Sequence, residues 1–171
     1  TNANQSITND GNSDLQPDLI FASYRTTPPY TNHRAIIDSS RGRAKILESD
    51  TTAAEATTTN AAYDLVSFDT DGFTVGAVNS TSALNASGIS HVAWQWKVNG
   101  GTTTSLSSNI NSVCQVNQDA GISIVKYTCT GGGNGQAVQH GLGLVPQVII
   151  TKNRTDNSYS DWITYHHSIG Y

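Results

Sequence analysis

Acid and base catalysis by paired carboxylates needs two of them set across a cleft, and the only glutamates in this chain are Glu48 and Glu55. They lie beside a segment, 51–62, that reads as the one short helix, so solvated surface carboxylates are the expectation. Asp69-Thr70-Asp71-Gly72 places two carboxylates ahead of a glycine as a calcium loop does. An EF-hand loop, however, requires a third oxygen ligand before the glycine and a closing glutamate where this chain has Ser80. A turn is therefore expected at 69–72. His166 and His167 project to opposite sides of a strand and cannot together grip one metal ion, so a site would have to recruit His140 and Asp161 as well. Gly131-Gly132-Gly133-Asn134-Gly135 lacks the lysine and the following helix of a phosphate-binding loop and reads as a connection. Cys114 and Cys129 flank a turn at 117–121 that sets Cys114 opposite Val125, which disfavours a disulfide across that hairpin. No catalytic residue, metal or cofactor is expected, and the chain reads as a non-enzyme.

The elements that would position any site are strands. Thr, Ser and Asn make up 55 of the 171 residues, with 15 Gly; the mixture serves strands and turns and disfavours helices. Strands are expected at 18–24, 34–38, 64–68, 73–75, 91–98, 121–129, 147–152 and 162–166, with shorter ones at 5–8 and 136–139. Asp71-Gly72 marks a tight hairpin. The expected fold is all-β, an antiparallel two-sheet sandwich or jelly roll with one short helix, whose Thr57-Thr58-Thr59 run argues against it. Alternation in 91–98 puts Val92, Trp94, Trp96 and Val98 on one face, where the tryptophans are expected as core anchors; the other reading is a sugar-stacking platform.

Charge and hydropathy narrow the partners. The net charge is -4, and the nine Lys and Arg are scattered rather than gathered into a stripe, so nucleic acid is not expected. No apolar stretch approaches the ~20 residues of a membrane-spanning helix, so no membrane insertion is expected. With no initiating Met and no leader, Thr1 is expected to begin a processed or trimmed product. Asn4, Asn79, Asn85 and Asn153 open glycosylation sequons that matter only in a secreted setting.

The chain also resembles itself. Residues 17–26, PDLIFASYRT, align with 146–155, PQVIITKNRT, at an offset of 129. Asn4-Gln5-Ser6-Ile7-Thr8-Asn9 matches Gly135-Gln136-Ala137-Val138-Gln139-His140. Ile36-Ile37-Asp38-Ser39 with Gly42 matches Thr164-Tyr165-His166-His167 with Gly170. The expected organisation is a first unit, 1–118, that lacks its leading strand, and the leading third of a second, 119–171. Such a first unit would be incomplete without a strand from a neighbour, and the second part would pack on the first or on an adjacent subunit.

The run from Gln136 to Arg154, together with Asp38-Ser39-Ser40-Arg41-Gly42, Thr51-Thr52-Ala53-Ala54-Glu55, Asp71-Gly72-Phe73-Thr74-Val75-Gly76 and Val92-Ala93-Trp94-Gln95-Trp96-Lys97, resembles an uncharacterised repeat of virion and tail-fibre-type proteins of aquatic bacteriophages. The resemblance covers most of the chain, carries no catalytic residues to transfer, and implies a β-rich structural or adhesive module. The chain departs from it at Cys114, Cys129 and 22–24. The function expected is a structural subunit, extracellular or in a virion, that joins identical subunits head to tail into a fibre by strand exchange. Gln5 and Ile7, or Ile122, Ile124, Tyr127 and Val138, are the candidate exchange residues. The alternative is a carbohydrate-binding adhesin module contacting cell-surface glycan through Trp162.

Overall fold

The structure is a computed structural model, which describes residues 3–26, 33–58, 64–76, 84–85, 88–157 and 160–170. Thirteen strands run in chain order: β1 (Gln5–Ile7), β2 (Leu19–Tyr24), β3 (Ala35–Asp38), β4 (Lys45–Glu48), β5 (Ala56–Thr57), β6 (Leu65–Asp69), β7 (Gly72–Val75), β8 (His91–Trp96), β9 (Thr104–Leu106), β10 (Ser112–Asn117), β11 (Ile122–Tyr127), β12 (Val148–Thr151) and β13 (Ile163–His166). The protein is all-β. Its antiparallel sheets, ordered β5-β4-β3-β2-β8, β1-β7-β6, β11-β10-β9 and β12-β13, are consistent with a β-sandwich.

Period-two alternation builds the core. Ile20 and Ala22 of β2 and Ala35 and Ile37 of β3 point inward and meet Leu65, Phe73 and Val75 of the β1-β7-β6 sheet together with Leu84. The β6–β7 hairpin turns where Asp71-Gly72 predicts it, with Asp69 opposite Gly72. Gly72 has φ 96, and a Cβ there would lie 2.0 Å from the Ile7 carbonyl oxygen. Only glycine lets β1 come this close to the turn.

Two expectations are corrected. No helix occurs among the described residues, and 51–58 instead runs as an extended connector leading through β5; residues 59–62 lie outside the described residues. Ala53 N donates to Thr51 Oγ1, and other donors of this segment find long-range acceptors in place of carbonyls one turn back. Glu55 N donates to Arg154 O at 2.9 Å and Ala54 N to Asn157 Oδ1 at 2.6 Å. The tryptophans of β8 are not core anchors. Trp94 and Trp96 are 47% and 40% exposed, while Val98 beyond them is buried. The parity of β2 decides this: Ile20 and Ala22 face inward, so Phe21 faces outward, and the register sets Trp94 opposite Phe21 and Trp96 opposite Leu19.

Strands β4, β5, β9 and β10 were not among those expected. The 136–139 segment supplies only an isolated parallel bridge between Val138 and Ile110. In the β10–β11 hairpin Cys114 stands opposite Val125, as the turn implies, and both cysteines are free, Cys114 buried and Cys129 exposed. The sequon at Asn79 lies outside the described residues.

Candidate functional site

The β2–β3 hairpin is tied down by a buried carboxylate. Asp18, just ahead of β2, is fully buried and accepts from Val98 N (2.7 Å), Gly100 N (2.9 Å), Gly101 N (2.9 Å), Ser39 Oγ (2.7 Å) and Gln115 Nε2 (3.0 Å). Backbone donors from the loop after β8 and a side chain from β10 converge on one anion. This charge-assisted cluster joins the five-stranded sheet to the β11-β10-β9 sheet.

A second buried charge cluster ties 143–170 to the first part of the chain. Arg41 reaches Asp38 through Nε (2.5 Å) and Glu55 through Nη1 (3.1 Å), and Arg154 grips Glu55 with two donors, Nε at 2.8 Å and Nη2 at 2.9 Å. Burial by itself raises the Glu55 carboxyl, but the hydrogen bonds and charges of Arg154 and Arg41 outweigh it and hold the pKa below the ordinary glutamate value. Around this clasp, Trp162 Nε1 donates to Glu48 O at 2.9 Å, and Lys152 Nζ sits over the Trp162 ring and donates to Ser160 O. The indole of Trp162 is thus half-buried and committed within the chain.

The clasp holds one end of a hairpin that repeats β2–β3. In β2–β3, Leu19 pairs with Asp38 and Ile20 with Ile37; in β12–β13, Val148 pairs with His166 and Ile149 with Tyr165, the aligned residues in each case. Ser39 N donates to Asp18 O and His167 N to Gln147 O, both at 2.8 Å. Gly42 N returns to Asp38 O and Gly170 N to His166 O, and both glycines have positive φ, 97 and 77. What differs is the surroundings. On β2–β3 both outer edges are paired, with β8 and β4, whereas β12–β13 pairs with no further strand among the described residues and has only the isolated His166–Gly170 bridge outside its own ladder. The core position Ile20 is 1% exposed and its counterpart Ile149 is 43%; Ala35 is 2% and its counterpart Ile163 is 58%. Leu144, Val145 and Ile169, near the hairpin in sequence, are also exposed.

A third feature is aromatic. Trp94 packs against Phe21 with ring centroids 5.3 Å apart and an interplanar angle of 37°. Trp96 follows on the same face of β8, which ends its sheet.

The expected site residues are dispersed. Gln5 and Ile7 lie in β1, opposite Val75 and Phe73 of β7. Ile122, Ile124 and Tyr127 lie in β11, opposite Asn117, Gln115 and Ser112 of β10. The strands named for exchange therefore have partners in their own chain, each keeping one outer edge unpaired among the described residues. The carboxylates of 69–72 are turned to neighbouring donors: Asp69 accepts from Ser67 Oγ and Thr74 Oγ1, and Asp71 accepts from Leu15 N. Glu48 accepts from Thr51 Oγ1, and Glu55 is taken up by Arg41 and Arg154. His140 Nδ1 accepts from Leu142 N; His166 and His167 do not project to opposite sides as expected, because β13 ends at His166, and their tilted rings lie with centroids 5.0 Å apart. Among the described residues no three His, Cys, Asp or Glu side chains gather as metal ligands would.

Sequence reasoning passed over Asp18, Arg41 and Arg154. The available signal was the alignment of the two copies: Arg25 and Arg154 are identical, while Asp18 is replaced by Gln147 and Asp38 by His166. A family model described as a domain of unknown function, DUF7483, matches residues 1–171. No curated protein and no solved structure matches the chain.

Proposed function

The chain belongs to the DUF7483 family, and from that premise we propose that it is a non-enzymatic structural subunit that joins head to tail with identical subunits into a fibre, in a virion or tail fibre or as an extracellular fibril. One observation carries the reading: β12–β13 reproduces the register of β2–β3 yet exposes two of its four core positions, Ile149 and Ile163, and pairs with no further strand among the described residues. Unpaired backbone groups beside an apolar strip form a template for strands from another molecule. Under this reading 1–118 is one unit, 119–171 begins the next, and an adjoining subunit supplies the missing strands by complementation.

Electron microscopy tests it. The intact chain forms filaments, and replacing both Ile149 and Ile163 by lysine abolishes them while the fold of 3–118 persists by circular dichroism. An intact chain that stays monomeric at high concentration, or filaments unchanged in the double variant and in chains lacking 1–9 or 121–171, rejects the proposal.

A second reading has its own observation. The exposed pair Trp94 and Trp96 offers two ring faces on one strand, the arrangement on which sugar rings stack, so a carbohydrate-binding module would use them rather than Trp162. A glycan array probed with the intact chain and with Trp94→Ala/Trp96→Ala decides it. Binding lost in the double variant supports the module, and no binding to any glycan removes it.

A further inference from the structure

We infer that the joint between subunits forms between the outer edge of β12 in one copy and the outer edge of β8 in the next, edges that pair with no strand among the described residues, extending the five-stranded sheet by the two strands of the hairpin. The inference rests on the assembly reading and names its contact surfaces.

Three observations carry it. The first is kinship of the edges. β12 is the counterpart of β2, and β2 is the strand whose edge β8 occupies within the chain, antiparallel, with Leu19 opposite Trp96 and Phe21 opposite Trp94. The residues aligned with Leu19 and Phe21 are Val148 and Ile150. An antiparallel β8 from another copy that repeats this register sets Val148 opposite Trp96 and Ile150 opposite Trp94, aromatic against aliphatic, a favourable cross-strand combination.

The second observation is availability. β8 is an end strand that spends one edge on β2 and, among the described residues, pairs with no strand on the other. Trp94 at 47%, Trp96 at 40% and Ile150 at 61% exposure are open to a partner. No strand has to leave its own sheet for the joint to form, so the contact requires no unfolding.

The third is the lack of any deterrent. Natural edge strands discourage pairing with charges, prolines or bulges. His91–Trp96 and Val148–Thr151 contain no Lys, Arg, Asp, Glu or Pro, and the pairings of β8 and β12 show no register shift. Because β8 and β12 are different surfaces of one chain, the contact is heterologous. A heterologous contact that does not close into a ring propagates as an open filament.

The experiment uses two full-length variants, Ile150→Lys with a damaged β12 edge and Trp94→Lys with a damaged β8 face. Both positions are exposed, and circular dichroism confirms that each variant keeps the fold. Sedimentation velocity of either variant alone shows self-association weakened about 100-fold or more. An equimolar mixture forms a one-to-one complex and stops there, because the intact β12 of the Trp94→Lys chain meets the intact β8 of the Ile150→Lys chain.

Either variant assembling like the unaltered chain overturns this joint and leaves the assembly reading standing. A mixture that remains unassociated overturns it likewise, and hairpin-to-hairpin or tryptophan-to-tryptophan dimers would show as one variant self-associating on its own. Failure of the unaltered chain to associate overturns the assembly reading and the joint with it.

Discussion

The β2–β3 and β12–β13 hairpins share register, closing hydrogen bonds and a glycine turn, yet one forms the heart of the core and the other stands at the surface. Hairpin geometry is local: strand alternation, a turn and a glycine with positive φ suffice to define it. Burial is not local, because it depends on which strands flank the edges and which layer covers the inner face. The β2–β3 hairpin has β8, β4 and the β1-β7-β6 sheet; β12–β13 has the Glu55 clasp at one end. An isolated two-stranded hairpin is marginal in water, so the clasp and any partner strands carry much of its order.

The sharpest way to break the comparison is at the aligned pair Asp18 and Gln147. Replacing Asp18 by alanine removes the acceptor of the buried Val98 amide and of the Gly100 and Gly101 amides, together with its bonds to Ser39 and Gln115, and costs about 4 kcal/mol of unfolding free energy. Gln147→Ala, at an exposed residue, changes it by less than about 0.5 kcal/mol. Equal losses in urea titrations would show that the two hairpins are equally embedded.

Next in size is the core pair. Ile20→Ala removes a fully buried side chain at a cost of about 3 kcal/mol; Ile149→Ala, at a position 43% exposed, costs under about 1 kcal/mol. The same titrations measure both.

A smaller effect separates the hairpins by pH. The Glu55 carboxyl is held below its ordinary value of 4.5, so its contribution is fully present above that value and is lost as the pH falls through the lower folded value. Hydrogen exchange, corrected for the intrinsic acid dependence of amide rates, then shows β12–β13 losing protection in acid while β2–β3 keeps its own. Glu55→Gln removes the acid dependence and lowers hairpin protection at neutral pH about 10-fold. A clasp that contributes nothing would leave the two profiles alike.

The smallest effect concerns the turns. Gly42→Ala and Gly170→Ala each place a side chain at positive φ with no atom within 4 Å of the new Cβ, so each costs about 1 kcal/mol of local strain. Global stability registers the change at Gly42, and the change at Gly170 appears only as faster exchange in β12–β13.

Much of the fold was legible in the chain. The β-forming residues of 18–24, 91–98 and 121–129 and the turn chemistry of Asp71-Gly72 and 117–121 led to strands that the structure contains, and the turn correctly placed Cys114 against Val125. Less legible was 51–58, where an alanine-rich run reads as helix from local propensity and is drawn straight by Arg154 and Asn157, residues about a hundred positions away. Strands β4, β9 and β10 are short or rich in polar residues and owe their pairing to the sheets around them. Of the candidate site, the kinship of 17–26 with 146–155 was visible, and the contrast in burial was not.

Composition and period-two patterning thus settled that this is an all-β chain, and self-alignment settled which segments would form like hairpins, because both depend on residues near one another in sequence. The tertiary structure decided that Trp94 and Trp96 face outward, that Asp18 binds two sheets together and that β12–β13 pairs with no further strand among the described residues. Each of these depends on what lies across a sheet or layer, and that neighbour is set by chain segments far away in the sequence.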